Sequence, residues 1–323
     1  MAQTVFLEAI NQAIQEEMRR DESVYILGED IRRAIYGATA DLLSEFGEKR
    51  VLDTPLSEEG FFGAAIGSSL VGMRPVVETL TSFMWVAMDQ LVSQAAKMRY
   101  MFGGQATLPV VFRASMFYGA GSAAHHSDRS YPMFMNMPGI KIIVPSNPAD
   151  MKGLLKTAIR DDDPVFLVND KKLINLTGFV PDEDYVIELG KGRYMRRGAD
   201  VTLVGMSYTS VVCQKAAEQL AEIGIDAEVI DMMSLSPFDE DILIESVAKT
   251  NNVVIVDEDT PRASMASEFA AVIADKAFDH LDAPVKRVTS PHSPVPYNSA
   301  LEQEFMPQPA DVVGTVKNLL GRE

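Results

Sequence analysis

The sequence predicts an α/β protein of two domains, each a mainly parallel sheet covered by helices on both faces. Three observations predict it. Short apolar runs alternate with amphipathic helical stretches along nearly the whole chain. Those runs are continuously apolar, as strands buried on both faces require. The rhythm breaks over 169–199, where Gly178, Pro181-Asp182-Glu183-Asp184 and Gly190-Lys191-Gly192 gather, and 323 residues are more than one small core serves. The division expected is a first domain over 1–180, a linker over 181–196 and a second domain over 197–323.

The elements follow in order. Phe6, Ile10, Ile14 and Met18 recur every fourth residue and mark one helix stripe, and Val24-Tyr25-Ile26-Leu27 is the first buried strand. Gly28-Glu29-Asp30 leaves it as a loop carrying two acids, and 39–46 is a short helix stopped by Gly47. Val51-Leu52-Asp53 is a strand. Pro55 then delays helix entry, Ser57 stands where an N-cap belongs, and a helix runs on through Gly67. Residues 75–80 and 109–113 are strands, with a helical face of Trp85, Met88, Leu91, Val92, Ala95 and Ala96 between them. An irregular stretch over 114–129 is long for a loop inside a domain, and such loops are often functional. After a strand over 140–144, Asn147-Pro148 opens a helix to Arg160, and 164–168 is the last strand of this half. In the second half, strands over 201–205, 227–231, 253–257 and 285–288 alternate with helices starting near Thr209, Asp239 and Ala263, and a last helix spans 309–320.

Composition narrows the function classes. With 47% hydrophobic and 23% charged residues the chain is ordinary for a soluble globular protein. Its formal charge of −17 argues against nucleic acid and anionic membrane surfaces as partners, since both select basic footprints. A basic protein partner would suit it, and so would a merely solvated acidic surface. The single cysteine, Cys213, excludes an internal disulfide and sits in a helical pattern as a buried, inert thiol. With neither a basic leader before an apolar core nor a bilayer-length apolar run, the compartment expected is the cytoplasm.

Four stretches are candidates for chemistry. Glu58 falls in the first turn of a helix whose Gly60, Gly63, Ala64 and Gly67 leave one face nearly bare for close packing. A helix N-terminus favours a carboxylate and removal from water disfavours it, so Glu58 is placed to share a proton with a ligand nitrogen. Glu58 and Glu59 also fit as ordinary first-turn acids that complement the helix dipole. In His125-His126-Ser127-Asp128 a histidine can act as acid, base or donor, or stand solvated in a loop. Gly119-Ala120-Gly121-Ser122-Ala123-Ala124 imitates a dinucleotide fingerprint away from a direct strand-to-helix turn, and no Walker-type loop or Gly-Asp-Gly diphosphate motif is present. Gly205-Met206-Ser207-Tyr208-Thr209 resembles a nucleophile elbow with Thr in place of its last Gly. A serine hydrolase using Ser207 with His280 or His292 is therefore a rival reading, as is an interaction-only subunit.

Leu52-Asp53-Thr54-Pro55-Leu56-Ser57-Glu58, Met73-Arg74-Pro75-Val76, Met88-Asp89-Gln90, Gln94-Ala95-Ala96-Lys97 and Tyr100-Met101-Phe102-Gly103-Gly104 together resemble one family. It is the β subunit of the decarboxylating component of thiamine-diphosphate-dependent 2-oxo acid dehydrogenases, of pyruvate, branched-chain and acetoin type. Lys152-Gly153-Leu154-Leu155, Ala158-Ile159-Arg160-Asp161, Asp282-Ala283-Pro284, Val256-Asp257-Glu258 and the segment from Pro291 to Tyr297 agree in order. The resemblance implies two three-layer αβα domains, a transketolase-type pyrimidine-binding domain and a transketolase C-terminal-like domain. It implies that Glu58 bonds the aminopyrimidine ring nitrogen of thiamine diphosphate and stabilises the imino tautomer that deprotonates the thiazolium carbon. Leu56 and Phe83 match positions that pack on the pyrimidine, and His126 matches an active-site histidine. A separate α subunit would hold magnesium and the diphosphate in an α2β2 tetramer, and a lipoyl acyltransferase core would be a further partner for the acidic chain. Val110, Ala158, Ile159, Asp161 and Asp163 match a structural potassium site of some relatives, with Asp163 where Asn is seen there.

Two departures bear on the substrate, implied to be a small 2-oxo acid or acetoin. Many relatives carry Gln-His-Ser-Gln where His125-His126-Ser127-Asp128 stands, and a Glu followed by a Leu-Tyr pair where Asn169-Asp170-Lys171-Lys172-Leu173-Ile174 stands. An acyloin-forming subunit of a biosynthetic pathway, with no lipoyl partner, is the alternative.

Overall fold

In the computed structural model, which describes residues 2–129 and 131–322, the apolar runs form parallel strands and the amphipathic stretches cover them. The chain divides into two units, one of 2–118 with 125–189 and one of 119–124 with 190–322.

The first unit contains β1 (Ala2–Val5), α1 (Phe6–Arg20), β2 (Val24–Gly28), α2 (Leu42–Phe46), β3 (Val51–Asp53), α3 (Glu58–Ser69), β4 (Arg74–Leu80) and α4 (Ala96–Met101). It continues with β5 (Val111–Met116), α5 (Tyr131–Met135), β6 (Lys141–Ile143), α6 (Pro148–Arg160), β7 (Val165–Asp170) and β8 (Thr177–Val180). Six of these strands lie in the order β6-β7-β5-β4-β2-β3, all parallel. The spacing read for α1 is its buried face: Phe6, Ile10, Ile14 and Met18 lie inside, joined by Glu17. Glu17 is fully buried and accepts from Arg160 of α6 at 2.6 and 3.0 Å, which offsets the cost of removing its charge from water. The helix expected at Asn147-Pro148 forms with the Asn147 side chain accepting from the Asp150 amide at 3.0 Å. Further along the same unit, the Tyr185 hydroxyl donates to the Ala149 carbonyl of α6 at 2.7 Å.

Two elements differ from expectation. Ahead of the helix stripe that begins at Phe6 stands β1, a strand that no sequence pattern announces, paired antiparallel with β8. The helix expected from Trp85 forms a wide π-helical stretch over Asp89–Ala95 before α4.

Beneath the carboxyl ends of the strands lies an ion pair set by register. Glu78 of β4 and Arg113 of β5 face each other in the ladder, both buried, and bond directly. Burial pushes the Glu78 carboxyl up and the Arg113 guanidinium down, each opposed by the partner's charge. Close by, β2 and β4 approach so tightly at Gly28 (φ +156°) that a Cβ would lie 2.4 Å from the Glu78 carbonyl oxygen.

The second unit contains β9 (Arg193–Arg196), β10 (Val201–Gly205), α7 (Tyr208–Glu222), β11 (Ala227–Asp231), β12 (Ser234–Ser236), α8 (Glu240–Thr250) and β13 (Val253–Asp257), then α9 (Met265–Lys276), β14 (Lys286–Thr289), α10 (Ser299–Phe305) and α11 (Pro309–Leu319). Its sheet runs β14-β13-β10-β11-β9, parallel except for β9 at the edge. Leu203 of β10 shares one buried cluster with Val229 and Val254 of the neighbouring strands, Cys213 and Leu220 of α7, and Val312 of α11. Cys213 is buried as expected, and burial pushes its thiol up. The glycine segment that imitates a dinucleotide fingerprint meets a carboxylate of this same chain. The amides of Gly119 and Gly121 each donate to buried Glu302 of α10 at 2.8 Å.

Replacing Arg113 by Met should lower stability by about 3–5 kcal/mol, because Glu78 is then left buried without its cation. Urea unfolding of the two proteins, compared at equal pH, measures the loss.

Candidate active site

The carboxyl ends of parallel strands are where α/β sheets collect ligands, and four of the sequence-predicted residues, Leu56, Glu58, Phe83 and His126, lie on segments that leave the sheet at that edge. Gly28 of β2 is level with Asp53 of β3, so the segments that follow leave the sheet side by side. One carries Glu29; the other carries Leu56, Ser57 and Glu58. Glu58 opens α3 and is 9% exposed. Ser57 occupies the cap position, but its side chain makes no capping bond. Glu29 is pushed up to about 7, first by burial and then by the charges of Glu58 and Asp30. Among the described residues its Oε1 is buried with no hydrogen-bond partner. Two carboxylates thus share one poorly hydrated corner, and one of them holds its proton near neutral pH. The sequence shows Glu29 only as a loop acid; the signal that would have found it is its place directly after the strand beside β3.

The β4 and β5 ends supply the other pair. Phe83 lies in a short turn after β4, and His126 in a turn after β5, with their rings edge to face at 5.3 Å. Asp128 ties the two turns together. Its carbonyl accepts from the Thr81 hydroxyl at 2.7 Å, its amide donates to the Ser82 hydroxyl at 3.2 Å, and its carboxylate accepts from the Trp85 indole at 3.2 Å. His125 and His126 are both exposed. The structure therefore brings Glu58 to Glu29 and His126 to Phe83. Leu56 stands 83% exposed beside the first pair.

The bare face of α3 is open. Gly60, Ala64 and Gly67 are exposed, and a Cβ on Gly67 would meet nothing within 4 Å, so the close packing expected there does not come from the described residues of this chain.

A thiamine ring fits this corner on the chemistry of its donors. A buried acid at a helix start can hold a proton at a ring nitrogen, the exposed apolar Leu56 two residues before it offers a surface to an aromatic face, and the Phe83 ring offers another beyond the end of β4. Among the described residues no three His, Cys, Asp or Glu side chains converge on a metal site.

The expected potassium position lies at the opposite edge, by the amino ends of β4 to β7. There Arg74 donates to the carbonyls of Ile159 at 3.1 Å and Asp161 at 2.9 Å. Lys141 holds both oxygens of Asp161 at 2.7 and 2.8 Å, and Arg99 pairs with Asp163 at 2.5 Å. The carbonyls of Val110 and Ala158 accept from the amides of Val165 and Asp161. Side-chain cations and backbone amides already serve these oxygens.

The serine-hydrolase reading finds no dyad. Ser207 is buried at φ +49°, with no hydrogen-bond partner for its Oγ among the described residues, and His280 and His292 are exposed.

Comparisons with known proteins give the family. Residues 3–177 match the family described as Transketolase, pyrimidine binding domain, and residues 190–312 match Transketolase, C-terminal domain. The chain is 46% identical to the acetoin:2,6-dichlorophenolindophenol oxidoreductase subunit beta of Bacillus subtilis, across 97% of this chain and 96% of that one. It is 41% identical to the 2-oxoisovalerate dehydrogenase subunit beta of the same organism (97% and 98% covered) and 41% identical to the pyruvate dehydrogenase E1 component subunit beta of Rhizobium meliloti (98% and 70% covered). A solved structure described as split gene transketolase, inactive beta4 tetramer, shares the fold with a TM-score of 0.81 at 24% identity, covering 98% of each chain. The chain belongs to the family of β subunits of thiamine-diphosphate-dependent 2-oxo acid and acetoin dehydrogenases, built from the two transketolase-type domains.

Proposed function

We propose that this chain forms one half of an active site that cleaves a small 2-oxo acid or acyloin and passes the acyl group to a lipoyl group. The observation that carries the reading is buried Glu58 at the start of α3, beside Glu29 at the carboxyl edge of the parallel sheet. Thiamine diphosphate, when bound, supplies the carbon acid that takes up the acyl fragment. Glu58 holds a proton at the ring nitrogen of the aminopyrimidine, and Glu29 keeps a second proton within the same corner. Leu56 and Phe83 flank the ring and exclude water. His126, exposed and steadied by Phe83, faces the substrate or the incoming acceptor as donor or acid. Asp128 is a positioning residue, fixing the His126 turn to the Thr81–Trp85 segment.

The partner in this reading is an α subunit that holds magnesium and the diphosphate in an α2β2 assembly. Two features of this chain support it: no diphosphate motif is present, and the α3 face and Leu56 stand open. The acidic surface, at −17, suits a basic docking domain on a lipoyl acyltransferase. No helix among the described residues is long and apolar enough to cross a membrane, and we place the assembly in the cytoplasm. A potassium ion at the Val110, Ala158, Ile159, Asp161 and Asp163 corner would share its oxygens with Arg74. It would act on the fold from the edge opposite the site, and no chemical step is assigned to it.

Reconstitution tests the reading. With the α partner, thiamine diphosphate and magnesium, the chain should reduce a dye in the presence of a 2-oxo acid or acetoin, and Glu58→Gln should lower that kcat by about 100-fold or more, the scale of a lost proton-transfer group. Full activity in the variant overturns the assignment. Asp128→Ala should cost roughly tenfold in kcat through a displaced His126, while Asp128→Asn, which still accepts from Trp85, should keep most of it. The raised Glu29 carboxyl sets a pH dependence on stability. Its proton is bound more tightly in the folded chain than in the unfolded one, so its contribution is full below the unfolded pKa and is lost as pH rises through about 7. Urea midpoints for wild type and Glu29→Gln, taken across that window, should show wild type losing stability relative to the variant as pH rises.

A further inference from the structure

A second charge arrangement at the carboxyl edge is not used by the reaction proposed above. Met116 at the end of β5 is level with Asp170 at the end of β7. The dipeptides that follow, Phe117-Tyr118 and Lys171-Lys172, therefore leave the sheet in step. That register sets the Lys171 ammonium over the Phe117 ring at 4.2 Å and the Lys172 ammonium over the Tyr118 ring at 4.6 Å. Arg129, three residues beyond His126, returns to the same Tyr118 ring at 4.5 Å. The group is joined to the candidate site at both ends. Phe117 meets the edge of Tyr36 at 5.6 Å, and the Tyr36 phenol is pushed up by burial and by Asp30, Glu29 and Glu78. On the other side Arg129 lies on the loop that carries His126.

The two lysines differ in what faces them. Asp170 accepts from the Lys172 amide and lies 3.8 Å from the Lys172 ammonium, so that lysine has a carboxylate at hand. Among the described residues no carboxylate bonds the Lys171 ammonium, which is steered by the Phe117 face alone. An aromatic face holds a cation in place but does not neutralise it. The charge of Lys171 therefore stands ready at the sheet edge where ligands collect, in a chain that is otherwise strongly acidic. One such charge matches a carboxylate better than a phosphate ester, which carries nearly two.

We propose that Lys171, set against the Phe117 ring, forms a subsite for a second carboxylate on the substrate, at the end remote from the reacting carbonyl. This rests on the thiamine reading for the reaction, but the subsite lies wholly in this chain. The test has two arms. In the reconstituted enzyme, kcat/KM is compared for 2-oxoglutarate and 2-oxopentanoate, which differ only in a terminal carboxylate or methyl. Wild type should favour 2-oxoglutarate, Lys171→Gln should lower that preference about tenfold, and Lys171→Arg should restore it. In the second arm, glutarate but not the uncharged glutaramide should raise the Tm of the isolated wild-type chain, and Lys171→Gln should abolish the rise. A glutarate effect with no turnover of any 2-oxo compound overturns the thiamine reading and keeps the anion site. Equal preference for the two substrates in wild type and Lys171→Gln, or no glutarate effect on wild type, overturns the subsite.

Discussion

Everything at the candidate site depends on two carboxylates being held together where water is scarce. Burial first, and then the charges of Glu58 and Asp30, push the Glu29 carboxyl up to about 7, so it keeps a proton at a pH where an ordinary glutamate has lost its own. The fold enforces this closeness. Parallel register sends the β2 and β3 exits out together, and Gly28 lets β2 lie against β4 where any side chain would strike the Glu78 carbonyl. The buried Glu78–Arg113 pair then fills the layer below.

Much of that scaffold is legible in the chain itself because it is local. Apolar runs identify β2, β4 and β7, and Asn147-Pro148 identifies the start of α6, since strand burial and helix capping are decided within a few residues. Glu58 is legible as an acid at a helix start. What escapes is set by partners distant in sequence. Nothing near Gly119 announces that its amide and that of Gly121 will meet Glu302, and nothing near Ala2 announces pairing with Val180. Glu29 escapes for the same reason: its environment is made by the strand next door. Ser207 shows the converse, a motif with the backbone strain of an elbow but with its hydroxyl enclosed and no histidine bonded to it among the described residues.

The open surfaces around the site have a common logic. A side chain as apolar as Leu56 is stable at 83% exposure only because the chain has other buried surface to spare, and its transfer out of water remains favourable when something covers it. The α3 glycines behave likewise, since a helix face of Gly60, Gly63, Ala64 and Gly67 admits a neighbouring backbone at close range and gains little from facing solvent. Both features flank Glu58. A partner that covered them would also remove water from the acid.

Cations at the two edges of the first sheet do different work, and their partners show it. At the amino edge, Arg74, Lys141 and Arg99 are bonded to carboxylates or carbonyls at 2.5–3.1 Å, so their charge is consumed in closing the ends of β4 to β7. At the carboxyl edge, Lys171 has a ring where those have oxygens. A quadrupole orients an ammonium without cancelling its field, so that charge still acts on whatever enters. The same residue type thus serves stability at one end of the sheet and recognition at the other, and the identity of the neighbour, oxygen or ring face, decides which.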